Sequence, residues 1–179
     1  EWTRASLERA GGEIDAAVAR LDSLAAAHPG FEPVAADLAI SRLVAADTTP
    51  GLQAVLSRWL GLLGPPPVGD SVAVILAGAR RGGPPPAAAV RWALARVETE
   101  FDPAPGHLAA LLALYGDVER GMEVAGRALA ERTPGALRFG AYPEYASLRE
   151  NEGFRRRLEE AGLGPALGDA ASRGADAVR

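Results

Sequence analysis

The stretch GEIDAAVARLDSLAAAHPGFEPVAADLAISRLVAAD, residues Gly12 to Asp47, is rich in alanine and is broken once, at His28-Pro29-Gly30. On both sides of the break, small and apolar residues recur at helical spacing, and almost nothing alternates with a period of two. Proline is favoured just inside the start of a helix and glycine just past its end. The stretch therefore predicts two helices joined by a short turn.

Similar breaks recur along the rest of the chain, where clusters of glycine and proline separate the apolar segments. If the second helix of each pair begins near Glu13, Gly51, Ala87, Val118 and Gly153, the successive offsets are 38, 36, 31 and 35 residues. A recurrence of about 34 residues is typical of solenoids in which each helix pair buries its apolar face against the next pair. We therefore predict an all-α fold, a solenoid of helical hairpins with about ten helices.

Small residues recur in the second helices of these pairs, on one helical stripe where a neighbouring helix can approach closely. They stand at Ala17, Ala54, Gly61, Gly121, Ala125 and Ala128, and leucine precedes alanine in three first helices at Leu38-Ala39, Leu76-Ala77 and Leu108-Ala109. This pattern resembles the tetratricopeptide repeat, in which the second helix carries a small, a bulky and a small residue before a terminal proline. The resemblance implies a right-handed superhelix over residues 1–163.

The segment YPEYASLRENEGFRRRLEEAGL, Tyr142 to Leu163, is similar to the closing segment of tetratricopeptide arrays in bacterial multidomain regulators and signalling enzymes. The similarity implies that Tyr145, Leu148, Phe154 and Leu158 cover the end of the last repeat. It also implies a C-terminal boundary near Gly162, with the repeat domain over residues 1–163. The tail, residues 164–179, is small, polar and glycine-rich, and we expect it to be flexible. The alternative is a pinned tail, either a further helix over Asp169 to Val178 or a segment in a neighbour's groove.

Composition narrows the range of partners. The formal net charge of −4 disfavours a nucleic-acid partner, because such binding needs clustered cations. The chain has no cysteine and no apolar stretch that approaches the length of a membrane helix. We expect a cytoplasmic protein without nucleic-acid or membrane partners, and an excised domain or a processed chain is an open alternative.

Residues suited to catalysis are few. His28 and His107 have no metal-ligand companion at helical spacing, and we expect both to be exposed loop or cap histidines. The segment GARRGG, residues 78–83, lacks the lysine and hydroxyl residue of a phosphate-binding loop, and we interpret it as a helix C-terminus. We therefore predict no enzyme activity, no cofactor and no metal site.

The three arginines Arg155, Arg156 and Arg157 are interpreted as a solvated face paired with Glu159 and Glu160. An acidic partner docking on these arginines is the open alternative.

The resemblance to tetratricopeptide repeats also implies a partner-binding concave face formed by the first helix of each pair. Carried over position by position, it is lined by Ala36, Ile40, Leu43, Ala110, Ala113 and Leu114, with Arg80 and Arg81 near its end. Such an apolar groove would favour a helix or an apolar peptide. The same positions are equally compatible with a tightly closed helical core.

The sequence thus favours a non-enzymatic protein-interaction module, a scaffold or regulatory domain of a larger bacterial protein. Its expected partner is a peptide or another domain, including one of the same polypeptide, and the oligomeric state is left open. The alternative is a helical domain of a regulator that senses a small molecule.

Overall fold

Proline and glycine set the helix boundaries in the computed structural model, which describes residues 1–45, 50–80 and 87–163. These described residues contain ten α-helices and no strand, and the prediction of an all-α fold is confirmed. The α-helices are α1 Trp2–Ala10, α2 Ile14–Ala27, α3 Glu32–Val44, α4 Pro50–Leu63, α5 Pro66–Arg80, α6 Ala87–Arg96, α7 Pro105–Leu114, α8 Val118–Ala130, α9 Ala146–Arg149 and α10 Glu152–Glu160.

Three shorter turns complete the helical structure. A π-helical turn, Val97–Phe101, continues α6, and 3-10 turns lie at Pro134–Arg138 and Pro143–Tyr145. The second helix of every predicted pair begins within one residue of its expected position, at Ile14, Pro50, Ala87, Val118 and Glu152. The glycine and proline breaks thus locate the helices correctly.

Two compact units are distinguished by their internal packing. The first consists of Glu1–Arg9 and Glu13–Pro103, and the second takes up the chain at Ala104 and also holds Ala10–Gly12. The predicted domain over residues 1–163 stays a prediction, and the predicted tail, 164–179, lies outside the described residues.

In the first unit, helices adjacent in sequence pack on each other, α2 on α3, α3 on α4, α4 on α5 and α5 on α6. Two arginines add links between helices two apart. Arg58 of α4 donates to the carbonyl of Ala25 near the end of α2, and Arg80 of α5 donates to that of Leu43 near the end of α3. This order of packing is compatible with a helical repeat solenoid.

The buried stripe of α4 differs from the predicted one. Ala54 and Gly61 are exposed, and a Cβ on Gly61 would meet nothing within 4 Å. Large side chains instead fill the interior, at Leu52, Leu56, Trp59 and Leu60. The larger side chains bury more apolar surface, and this outweighs the close approach that small residues would allow.

A buried ion pair joins α1 to α3. Arg9 Nη1 donates to Asp37 Oδ1 over 3.0 Å, with both side chains at most 3% exposed. The Trp2 indole donates to the other carboxylate oxygen over 2.8 Å. Removing one member would break this buried ion pair, which is strongly destabilising.

The turn after α4 is closely packed against the π-helical turn. A Cβ built on Gly64 would lie 2.8 Å from Phe101 Cδ1 and 3.1 Å from the carbonyl oxygen of Glu100. Both distances are shorter than van der Waals contact, so only glycine fits here without displacement of the ring or the backbone.

The second unit is built on the α7–α8 hairpin, which contacts α9 and the 3-10 turns. A Cβ on Gly121 would lie 3.1 Å from Leu148 Cδ2 and 3.5 Å from the Ala109 carbonyl oxygen, so the helices approach closely there. The small residues predicted to lie on this stripe, Gly121, Ala125 and Ala128, are buried as expected.

The aromatic cluster after α8 closes this unit. The Phe139 ring packs edge-on against the Tyr145 and Phe154 rings, with centroids 4.9 and 6.2 Å apart. The four residues predicted to cover the last repeat are all buried, namely Tyr145, Leu148, Phe154 and Leu158.

Candidate functional site: a cleft between α8 and α10

The predicted lining of a concave face lies mostly in the interior. Exposures are 0% at Ala36, Ile40, Leu43 and Ala110 and 7% at Ala113, while Leu114 is half-buried. The expectation of an open face lined by these side chains does not match the structure, because α3 packs between α2 and α4 while α7 packs against α8 and the two 3-10 turns. The alternative of a closed core describes them better, and their role in partner binding stays a prediction.

Of the two arginines predicted near the end of the concave face, Arg80 lies in the described part of the chain and Arg81 does not. Arg80 is half-buried and its guanidinium is bonded to the Leu43 carbonyl, so it supports the end of α3. The end of α5 at Arg80 agrees with the interpretation of residues 78–83 as a helix C-terminus as far as that segment is described. Arg81 lies outside the described residues.

The histidines do not form a site. His28 caps the C-terminus of α2 and is exposed, as expected, whereas His107 in the first turn of α7 is only 8% exposed, so the expectation of an exposed residue is wrong there. Over residues 1–45, 50–80 and 87–163, no three His, Asp or Glu side chains are grouped to hold a metal ion. In the same part of the chain no helix combines the length and apolarity required to span a bilayer.

A cleft of about 830 Å³ opens in the second unit, where α10 packs against α8. It is open to solvent and is bounded by the last turns of α8, the following 3-10 turn, and the end of α10. Its lining residues are Gly126, Leu129, Ala130, Arg132, Thr133, Pro134, Ala136, Leu137, Arg157, Glu160, Ala161 and Leu163.

Apolar side chains form much of this lining. Leu129 and Leu163 are half-buried, and Leu137 on the 3-10 turn is 66% exposed. An exposed leucine is unremarkable by itself, but this one borders a cleft that is also lined by two further leucines and three alanines, which share the surface with polar groups. This surface can receive an apolar side chain from a partner.

Arg157 reaches the cleft over a glycine. A Cβ on Gly126 of α8 would lie only 2.6 Å from Arg157 Nη1, so the guanidinium rests against the bare backbone of this glycine, and its end would have to shift if residue 126 carried a side chain. The base of α10 is fixed by Asn151, whose Oδ1 accepts from the Phe154 amide over 3.1 Å, and by the buried side chains of Phe154 and Leu158. These contacts orient α10 and thus the side of it that carries Arg157.

Arg132 lines the cleft from the turn that follows α8, two residues after its last residue, Ala130, in a left-handed conformation with φ of 53°. The amides of Arg132 and Thr133 turn back to the carbonyls of Leu129 and Ala128, over 3.1 and 3.0 Å, in the Schellman arrangement.

The helices α7 and α10 end with the same pair of hydrogen bonds, but there the left-handed residue is Gly116 or Gly162. Arginine at this position is strained relative to glycine, and such strain is concentrated at functional sites.

The charges of the cleft are unbalanced. The guanidinium groups of Arg132 and Arg157 form no hydrogen bond or ion pair with other described residues. The acidic lining residue, Glu160, has Arg156 as a neighbour at 3.9 Å. Of the predicted pairing between the arginine triplet and Glu159 or Glu160, only this one contact forms within the described residues.

Sequence reasoning did not identify most of this cleft. Arg157 was singled out as part of the arginine triplet, but its position over Gly126 depends on how α10 packs. Arg132 and Leu137 lie beside the Thr133-Pro134-Gly135 break, where the expected feature is a turn rather than a binding surface. The one sequence signal that could have indicated exposed apolar surface is Leu137, an apolar residue close to the break that follows α8.

Comparison with known proteins gives no match, whether to protein-family models, to curated proteins or to solved structures. The site is therefore interpreted from its own geometry.

Proposed function

We propose that the chain is a non-enzymatic protein-interaction module and that the cleft between α8 and α10 binds a segment of a partner protein. The observation that carries this proposal is the open cleft of about 830 Å³ with Leu137 exposed along it. Partner side chains that fill such an apolar recess supply most of the binding free energy of a small interface.

The proposed type of function is the one expected from the sequence. The proposed binding surface differs, because it is the cleft between α8 and α10 and not the concave face. The tetratricopeptide-like assignment, and a role as a scaffold or regulatory domain of a larger bacterial protein, remain proposals, supported by the spacing of the helix pairs and by their neighbour-to-neighbour packing. A net charge of −4 favours a protein partner over nucleic acid, and a cytoplasmic location is part of the same proposal.

Selection of random displayed dodecapeptides against the full chain tests the proposal. Selected peptides should lose at least about tenfold in affinity with Leu137→Asp, because a buried leucine anchor contributes about 1.5–3 kcal/mol. Leu7→Asp is the matched control, since Leu7 is 68% exposed against 66% for Leu137 and lies on α1 in the first unit. Selection that yields no peptide, or peptides that bind Leu137→Asp equally well, would overturn the proposal.

A small-molecule-sensing domain is the second candidate, because the cleft volume of about 830 Å³ lies within the roughly 300–1,000 Å³ typical of ligand pockets. A thermal-shift screen with a metabolite library tests it. A compound that stabilises the wild-type chain but not Leu137→Asp, together with a failed peptide selection, would replace the interaction module by the sensor.

A further inference from the structure

We infer that the partner segment carries acidic side chains beside its apolar anchor, and that Arg132 and Arg157 bind their carboxylates. This inference rests on the proposed function, since it specifies the chemistry of the segment that the cleft takes.

The charges that line the cleft are complementary to an acidic segment. Two of the three charged residues that line the cleft are arginines, and neither guanidinium is engaged by a described residue. The third, Glu160, has the Arg156 guanidinium 3.9 Å away, which offsets part of its negative charge. An acidic segment is therefore favoured over a basic one.

The hydrogen-bond donors of both arginines suit a carboxylate. A guanidinium presents several N–H groups in a planar fork that matches the two oxygens of a carboxylate. Arginine also loses less hydration free energy than lysine when a partner covers it, so it suits the border of an apolar surface. The leucines and arginines of the cleft thus fit a segment in which apolar and acidic residues alternate in space.

Both arginines line the cleft beside unusual local backbone. The Arg157 guanidinium lies over Gly126, where a Cβ would meet Nη1 at 2.6 Å, so the end of this exposed side chain lies against bare backbone. Arg132 occupies a left-handed position that Gly116 and Gly162 fill at the ends of α7 and α10.

Three synthetic amphipathic peptides with identical leucine positions test the inference against the full chain by fluorescence anisotropy. Their flanking positions are all glutamate, all glutamine or all lysine. The glutamate peptide should bind about fivefold more tightly than the glutamine peptide, the ratio expected of two largely exposed ion pairs, and the lysine peptide should bind most weakly. High salt should reduce the glutamate peptide to the affinity of the glutamine peptide.

Two variants localise the preference. Arg157→Gln and Arg132→Gln each remove one of the two cations that line the cleft. Both should lower the preference for glutamate to about twofold. Arg156→Gln is the matched control on the same helix as Arg157, because Arg156 does not line the cleft, and it should keep the full preference.

The outcomes separate the two proposals. Equal binding of the glutamate and glutamine peptides, or tighter binding of the lysine peptide, overturns the inference and leaves the proposed function standing. Glutamate preference that survives in both variants also overturns it. Failure of all three peptides, together with failure of the peptide selection, refutes the proposed function itself. A chain that self-associates and loses this association with Leu137→Asp would show a second copy as the occupant, which also overturns the inference.

Discussion

Replacing Arg132 by glycine is expected to stabilise the protein, although it removes a side chain. Arg132 has a φ of 53° in the turn that follows α8, and the hydrogen bonds of that turn involve only its backbone. Because the side chain makes no hydrogen bond or ion pair with other described residues, the substitution removes strain and few contacts.

The magnitude follows from two opposing terms. A non-glycine residue in the left-handed region is disfavoured by about 1–2 kcal/mol. Glycine lowers the free energy of unfolding by about 0.5–1 kcal/mol, because it gains more conformational freedom on unfolding. The net effect of Arg132→Gly is a gain of about 0–1.5 kcal/mol, and the central value of about 0.75 kcal/mol corresponds to a rise in Tm of about 1.5–3 °C for a chain of this length.

Urea denaturation followed by circular dichroism, together with scanning calorimetry, measures this change. Gly162→Ala is the mirror control, because Gly162 has a φ of 75° and a Cβ there would meet nothing within 4 Å. It should lose about 0.5–1 kcal/mol through backbone conformation alone. A destabilised Arg132→Gly, or an unchanged Gly162→Ala, would refute the reasoning from strain.

Three further predictions concern the first unit. Asp37→Asn should lower the free energy of unfolding by about 3–5 kcal/mol in urea denaturation, because it breaks a buried ion pair with Arg9. A loss below about 1 kcal/mol would contradict this. Gly64→Ala should destabilise by about 1–3 kcal/mol through overpacking against an aromatic ring, whereas Gly61→Ala, in open space within α4, should stabilise by about 0.5–1 kcal/mol. The opposite order of the two Tm shifts would be incompatible with the described packing. Hydrogen bonding to Arg20 lowers the pKa of Glu8 below its ordinary value of 4.5. The resulting stabilisation is present above pH 4.5 and is lost as the pH falls through the lowered pKa. Carboxyl NMR titration of Arg20→Gln should show a higher pKa for Glu8, and an unchanged pKa would exclude the pairing.

The helix boundaries could be predicted because proline and glycine act locally. A break such as His28-Pro29-Gly30 ends one helix and starts the next independently of how the neighbouring helices pack. The buried stripe of α8 could be predicted as well, since Gly121 and Ala125 stand where a neighbouring helix must approach closely. In α4 the same reasoning failed, because the large side chain of Trp59 competes for the interior and sequence spacing alone cannot rank the two faces.

The candidate site was less predictable, because it depends on tertiary packing and on an exception to a local rule. Alanines at Ala36 and Ala110 suit a groove lining and a closed core equally well until the neighbouring helices are in place. Arg132 occupies a position where glycine is the usual residue, so no sequence pattern marks it as left-handed. The placement of Arg157 over Gly126 joins residues from two helices, and their separation in sequence gives no indication of the contact.

Amide chemical-shift mapping of the full chain with the glutamate peptide tests the central claim most directly, namely that the cleft between α8 and α10 is the binding surface. We predict saturable shifts concentrated at Gly126, Leu129, Arg132, Leu137 and Leu163, with the first unit unaffected. Saturable shifts that cluster on α3 or α7 instead, or no shifts at peptide concentrations that saturate the anisotropy signal, would contradict the account.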